Sequence, residues 1–313
     1  RELGVTVVAS EHSPQLLPHA DKILFLENGK AQFCGCPEEF AHYLLENEMP
    51  FSLILPPYTR LLKSRTLDFA AARREIADVQ AKPCEDIQKH AAAVTVKNLA
   101  FAYGRKQPDI LFGMDYTAEQ GRINAIVGAN GCGKTTFLKC LAGILRPYGG
   151  KIKKNGKTAY LPQNVQTLFL YDSVNKEVNS EALLSRYGLD AFRQRNPFDL
   201  SGGEAQRLAL AKIEQTGADI LLLDEPTKGT DPVFRAKLAG ILKAWCAAGK
   251  TIILSTHDLE FAGRYADNVA FLFGGNIVCT ERRRKFFAAL DIYTTSLSAL
   301  TNGRIVSIDD AEV

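Results

Sequence analysis

One stretch limits what this chain can fold into more than any other: Gly128-Ala-Asn-Gly-Cys-Gly-Lys-Thr-Thr136. A short apolar run, Ile123 to Val127, leads into it. Phe137, Leu138, Leu141, Ile144 and Leu145 follow at helical spacing. The motif G-x-x-x-x-G-K-T therefore sits between a predicted strand and a predicted helix, the context a phosphate-binding loop needs. Its glycines let backbone N–H groups converge on an anion at the positive end of a helix. Asn130, Gly131, Cys132, Gly133, Lys134, Thr135 and Thr136 are the expected nucleotide contacts. Lys134 is expected to reach the β- and γ-phosphates, and the Thr135 hydroxyl to ligate Mg²⁺. The pattern predicts a nucleoside triphosphate site. Cys132, between two glycines at a helix start, is expected to have thiolate character and to be shielded from alkylation by bound nucleotide.

The rest of the composition narrows the setting. With 313 residues and 46% hydrophobic content, the chain suffices for one sizeable domain plus extra pieces. A net charge of +3 does not advertise nucleic acid, and no apolar run approaches the roughly 20 residues of a membrane span. Seven scattered cysteines suit a reducing compartment, and Cys34-Gly-Cys36 has no second pair to complete a zinc site. Residue 1 is Arg rather than Met, so it is not expected to be the natural start.

The beginning of the chain is explained by a repeat. Gly4-Val-Thr-Val-Val-Ala-Ser-Glu-His12 and Ala20-Asp-Lys-Ile-Leu-Phe-Leu-Glu-Asn-Gly29 parallel Gly249 to His257 and Ala266 to Gly275. Each copy predicts a strand ending in Ser-x-His, a helix, and a second strand closed by Gly. Residues 1–45 are thus expected to be the tail of a truncated first nucleotide-binding domain, with His12 the counterpart of His257. Residues 46–92, broken by Pro50, Pro56 and Pro57, predict a linker with one helix, a plain tether. Residues 93–290 predict the complete second domain, and 291–313 a tail. Within the second domain, Val94, Val96, Leu99, Phe101 and Tyr103 alternate as strands at a sheet edge. Gly149-Gly150 is expected to end the first helical region, and Asn155-Gly156 to turn a hairpin. Residues 165–200 look like an inserted helical subdomain. The continuous apolar runs Ile220–Leu223 and Thr251–Leu254 suit parallel strands buried on both faces. The expected fold class is α/β, with function at the carboxyl ends of the strands.

Two further motifs fall at that edge. Asp224 and Glu225 close the Leu-rich strand, placing one carboxylate for Mg²⁺ and one to polarise water. Leu200-Ser-Gly-Gly-Glu204 opens a helix with a capping box from Ser201 to Glu204. A cap has no need of Gly202 and Gly203, which leave the helix start bare for an anion. Arg282, Arg283, Arg284 and Lys285 form a basic run best explained as a solvated helix face.

Together these motifs resemble the ATP-binding cassette (ABC) ATPases. Gly128–Thr136 is similar to their Walker A motif, Leu200–Glu204 to the signature, Ile220–Glu225 to Walker B, Gln163 to the Q-loop and His257 to the switch histidine. Lys228-Gly-Thr-Asp231 resembles the D-loop, with Thr230 where the family usually has Leu. The resemblance implies a P-loop fold with a parallel core sheet, an antiparallel β edge and an inserted helical subdomain. It also implies domains paired head to tail, each ATP lying between one Walker A and the partner's signature. Tyr103 (with Phe101 the rival) would stack on adenine; Thr135, Gln163 and Asp224 would arrange Mg²⁺; Glu225 would act as base; His257 would bind the γ-phosphate. Ser201, Gly202, Gly203 and Glu204 would serve the partner's ATP, and Asp231 of the D-loop would be a further nucleotide-binding residue. The chain alone would bind and hydrolyse ATP poorly unless two copies pair.

Asp224-Glu-Pro-Thr-Lys-Gly-Thr-Asp231, Tyr160-Leu-Pro-Gln-Asn164 and Ser255-Thr-His-Asp-Leu-Glu260 resemble the second half of fused energy-coupling-factor ATPases. That resemblance implies a peripheral motor on the cytoplasmic face of the membrane, driving uptake of a vitamin or transition-metal ion. Its partners would be a second cassette, a membrane coupling protein seated near Gln163 and a substrate-binding membrane subunit. The alternative is a soluble tandem cassette protein acting on ribosomes or nucleic acid. Lys228-Gly229 and the near-neutral charge count against it.

Overall fold

The computed structural model describes residues 5–10, 14–27, 29–83, 90–290 and 292–312. The chain divides into two units, 1–82 with 231–233 and 296–313, and 83–230 with 234–295.

The first unit opens without regular structure over residues 5–10, where Val5, Val7 and Val8 are exposed. The strand expected there is not formed. In the second copy the matching strand lies between two others, and an isolated strand has nothing to hydrogen-bond to. Then come β1 (Ile23–Glu27) and β2 (Lys30–Gly35), paired antiparallel, and α1 (Pro37–Glu46). Phe25, Phe33 and Phe40 meet with ring centroids 5.4–5.6 Å apart above Leu44, Ile54 and Leu55. Short helices α2 (Pro57–Leu62) and α3 (Phe69–Glu75) follow. They enclose a core with the last segment of the chain: Tyr58, Leu61, Ala72 and Ile76 pack with Leu297, Leu300, Ile305 and Ala311. Lys82 N donates to Asp310 O, and Ala81 bridges Ala311. The stretch expected to be a tether with one helix is therefore a folded half-core. Its apolar residues are too few to show a period until a segment more than two hundred residues away completes them.

In the second unit, β3 (Ala92–Phe101) and β4 (Leu111–Glu119) pair antiparallel, and β5 (Ile123–Val127) runs into α4 (Lys134–Ala142). After α4 come β6 (Gly149–Lys154), β7 (Thr158–Leu161), α5 (Val174–Glu177), α6 (Glu181–Arg186) and α7 (Gly202–Gln215). β8 (Ile220–Asp224), α8 (Pro232–Ala247), β9 (Thr251–Thr256), α9 (Leu259–Tyr265), β10 (Asn268–Phe273), β11 (Asn276–Arg282) and α10 (Arg283–Ala289) complete it. α11 (Ser296–Thr301) belongs to the first unit.

The fold is α/β. A six-stranded sheet has the order β11-β10-β5-β9-β8-β7, parallel except for the β11 edge, and a separate antiparallel sheet has the order β4-β3-β6. β3 is central in the smaller sheet rather than at an edge. β5, β8 and β9 are buried at every position, as their unbroken apolar runs require. α4 lies between the sheets: Phe137, Leu138 and Leu141 share one core with Val94, Leu99 and Met114 and with Ile126, Leu222 and Ile253.

Two local expectations are corrected. The first helix ends at Ala142 with Gly143 as a left-handed cap, and Gly149-Gly150 begin β6. Asn155-Gly156 does not close a hairpin, because β6 pairs with β3 and β7 with β8. The turn carries the chain from one sheet to the other. Asn155 N donates to Ala93 O, and a Cβ on Gly156 would lie 2.7 Å from Asp219 Cβ.

Candidate functional site

The site grows from the turn between β5 and α4. Gly128 packs so tightly that a Cβ would lie 2.3 Å from Leu272 O, and Gly133 caps α4 at φ 109°, where a side chain is strained. The loop is therefore shaped for backbone donors and closed to side chains. Lys134 is turned inward. Its Nζ donates to Gly128 O at 2.8 Å and Ala129 O at 3.2 Å, and lies 3.6 Å from Glu225 Oε1. Both side chains of that ion pair are only 7% exposed. The ammonium is thus held within the loop by two of its carbonyls and by Glu225.

β8 delivers the acidic pair to the same edge. Asp224 is the last residue of β8 and faces Ser255 of β9 in the parallel register. Three hydroxyls donate to its carboxylate: Ser255 Oγ to Oδ1 at 2.6 Å, Thr135 Oγ1 to Oδ1 at 3.1 Å, and Tyr160 to Oδ2 at 3.0 Å. Glu225 follows at φ 51°, a left-handed conformation that costs a non-glycine residue about 1–2 kcal/mol. It is held there because its N–H donates to Ser255 Oγ and Ser255 O, each at 3.1 Å. The turn aims the Glu225 side chain back at Lys134, and His257 Nδ1 lies 2.7 Å from Glu225 Oε2. Backbone strain held at an acidic residue in a cluster of this kind is characteristic of a functional site.

A hard divalent cation such as Mg²⁺ takes oxygen ligands, few from protein and the rest from water and phosphate. The Thr135 hydroxyl and the Asp224 carboxylate, 3.1 Å apart at the mouth of the loop, suit that requirement. Among the described residues no group of three or more His, Cys, Asp or Glu could hold a metal by itself.

The remaining predicted residues are spread over other elements of the chain. Tyr103 is exposed beyond β3, stands edge-on to the buried Phe101, and its hydroxyl lies 3.1 Å from Thr136 Oγ1. That leaves Tyr103, not Phe101, with a free ring. Asn130 and Gly131 are exposed, and Gln163 is exposed just past β7. Ser201 caps α7 as its spacing predicted: Ser201 N donates to Glu204 Oε2 at 2.8 Å, and Glu204 N to Ser201 Oγ at 3.4 Å. The Ser201 N–H holds the Glu204 carboxyl below its ordinary pKa. Gly202 and Gly203 face open space, for a Cβ on either would meet nothing within 4 Å. No contact among the described residues demands glycine there. Asp231 is exposed immediately before α8. The Thr230 hydroxyl donates to Thr227 O at 2.7 Å, which accounts locally for a Thr in that loop. Arg282 and Arg283 bond within the fold, and Lys285 pairs with Glu281. His12 lies outside the described residues.

One expectation is corrected. Burial raises the Cys132 thiol above its ordinary pKa, outweighing the lowering by Lys134 and the loop N–H groups. The thiolate is disfavoured because the sulfur is tucked against Gly128 rather than held in the open nest. Two residues named in the sequence only as parts of longer motifs, Tyr160 and Ser255, have no site role predicted from it. Only the register of β7, β8 and β9 brings them to Asp224, and register is not written in any one strand.

Comparison with known proteins gives the family. A family described as ABC transporter matches residues 111–228. An ABC transporter ATP-binding protein of Clostridium tetani is 30% identical over 334 residues, which cover 96% of this chain and 75% of the relative. The chain belongs to the ABC transporter ATP-binding proteins. Residues 111–228 thus lie in an ABC ATPase domain, which binds and hydrolyses ATP. The HMP/thiamine import ATP-binding protein YkoD of Bacillus subtilis is 27% identical, covering 87% of this ABC protein and 55% of YkoD. Among solved structures, cbiO1 of Clostridium perfringens, part of the ABC transporter complex cbiONQ, superposes with a TM-score of 0.56 at 25% identity. The match covers 63% of this chain and 91% of cbiO1. The chain spans about 60% of the length of the first curated relatives it matches. No helix among the described residues is long and apolar enough to cross a membrane.

Proposed function

We propose that this protein is the tandem ATPase motor of an energy-coupling-factor importer, and that residues 1–45 end a first cassette while 93–290 form the second. Residues 46–92 join the two cassettes and 291–313 end the chain. The observation that carries the tandem reading is the fold of the repeat. β1-β2-α1 matches β10-β11-α10, with the register shift falling between Phe25 and Leu26 in one and between Phe271 and Leu272 in the other. Phe40 and Phe286 are buried at matching helix positions. Leu24 and Leu26 are 57% and 60% exposed, whereas their counterparts Ala270 and Leu272 are buried against β5. A first cassette would supply the missing neighbour.

In this reading Lys134 leaves Glu225 for the β- and γ-phosphates, while Tyr103 stacks on adenine. Thr135, Asp224 and Gln163 hold the magnesium site, whose ion neutralises phosphate charge when bound. Glu225 takes the proton of the attacking water, and His257, already on Glu225, turns to the γ-phosphate. Ser201 and Gly203 present the bare start of α7 to the nucleotide of the paired cassette, and Asp231 is a further nucleotide-binding residue. His12 completes the first cassette's site. The motor works from the cytoplasmic face of the membrane, with a coupling protein and a substrate-binding membrane subunit as partners. YkoD supports import of a small nutrient, cbiO1 supports work within a transporter complex, and the net charge of +3 does not favour nucleic acid.

The test is affinity purification of the full-length protein from detergent-solubilised cells. Stoichiometric polytopic membrane proteins are expected. Ribosomes or nucleic acid without a membrane protein would overturn the importer reading.

A further inference from the structure

We propose that Tyr160 is a positioning residue for metal binding, acting by holding the Asp224 carboxylate from the β7 side. The inference rests on the ATP and magnesium reading above. A carboxylate offers about four acceptor positions. Three are filled here, and the donors come from three different elements: α4 (Thr135), β9 (Ser255) and β7 (Tyr160). Their roles on loading differ. Thr135 is itself an expected metal ligand, and its hydroxyl acts on Oδ1, the oxygen that Ser255 already holds. Ser255 stays, because its Oγ also accepts from Glu225 N and is fully buried. Ser255 alone fixes only Oδ1, which leaves the carboxylate free to rotate about its last bond. Tyr160 on Oδ2 removes that freedom.

Tyr160 is placed by its strand to act as a lasting donor to Asp224. Its ring is fixed at the end of a strand that pairs directly with β8, Tyr160 opposite Leu222. The hydroxyl reaches Asp224 without any mobile segment. Tyr160 also stands three positions before Gln163, so the carboxylate and the Q-loop residue are tied to the same short strand.

Second-sphere partners of metal carboxylates contribute 10–100-fold to metal affinity. The test uses full-length protein, a non-hydrolysable ATP analogue and Mn²⁺ read by electron paramagnetic resonance. Tyr160→Phe keeps the ring and removes the donor. Analogue affinity in EDTA is expected to stay within about 2-fold of wild type, while Mn²⁺ affinity in the ternary complex falls about 10-fold or more. Ser255→Ala, which frees the other oxygen, should lower Mn²⁺ affinity in the same direction and gives an independent measure of the clamp. Mn²⁺ affinity within 2-fold of wild type in Tyr160→Phe overturns the proposal. So does an equal loss of analogue affinity with and without metal, which would make Tyr160 a general support of the pocket. A wild-type protein that binds no analogue overturns the nucleotide reading itself, and the proposal with it.

Discussion

Replacing Glu225 with Gln should separate ATP binding from hydrolysis, and the structure supplies the size of both effects. Glu225 and Lys134 form an ion pair at 3.6 Å with each side chain 7% exposed. At an effective dielectric of about 20, that distance corresponds to about 4–5 kcal/mol of gross attraction. Desolvation of both groups offsets much of it. The attraction stabilises the nucleotide-free state and competes with phosphate for Lys134, and the carboxylate also repels an incoming phosphate. Gln is isosteric, removes both effects, and keeps a side-chain partner for His257. If about a third of the gross attraction acts against binding, ATP should bind about 10-fold more tightly in Glu225→Gln, a change of about 1.4 kcal/mol. Turnover should fall about 10²–10⁴-fold, or about 2.7–5.4 kcal/mol in the barrier, as expected for loss of a general base. Equilibrium binding of a fluorescent ATP analogue and steady-state phosphate release measure the two. A turnover within 10-fold of wild type removes Glu225 from the base role. A weakened affinity refutes the competition for Lys134.

Other perturbations follow from the same geometry. Gly203→Asp places a carboxylate in open space in the first turn of α7, where negative charge favours the helix; the melting temperature should hold or rise while turnover drops at least 10-fold, because the charge meets the partner's nucleotide. Cys132 should alkylate slowly near neutral pH and faster only above the ordinary thiol range, since burial raises its pKa; peptide mapping should show that ATP blocks the reaction. Glu177, fully buried in its side chain, accepts from Leu170 N and Tyr171 N and pairs with Lys212. Lys212→Met should therefore destabilise by about 3–5 kcal/mol. Adding Glu177→Gln should restore much of that loss in a denaturant titration.

Much of the site could be read from the sequence because its parts are local. The loop at 128–136, the cap at 201–204 and the acidic pair at 224–225 each lie within a few residues. Their chemistry follows from short-range geometry: left-handed glycines, a capping box, the end of an apolar strand. What could not be read was set by neighbours. Tyr160 and Ser255 matter because β7 and β9 flank β8 in a particular register. The Cys132 thiol departs from its expected behaviour because Gly128 packs against it. Asn155-Gly156 has the composition of a hairpin turn, yet two sheets claim the strands on either side of it. Residues 58–81 hide half a core whose other half lies at 297–311.

The repeat provides an internal control for this distinction. The same pattern occurs twice in one chain, once inside a complete sheet and once without it. The hairpin and the helix after it form both times, with the bulge at the same step and an aromatic pair across the same positions: Phe25–Phe40 at 5.6 Å and Phe271–Phe286 at 6.5 Å. In the first copy these elements form without a neighbouring strand among the described residues, packed on Ile54, Leu55 and Leu67. The strand before them forms only in the copy where β5 and β8 stand on either side of it. Its counterpart, residues 5–10, has comparable apolar content but stays irregular and exposed. A strand buried on both faces and paired on both edges takes its stability from its neighbours, so sequence alone predicts that it can form, not that it does. The same dependence explains why Asp224, at the end of such a strand, owes its geometry to hydroxyls on three other elements rather than to its own segment.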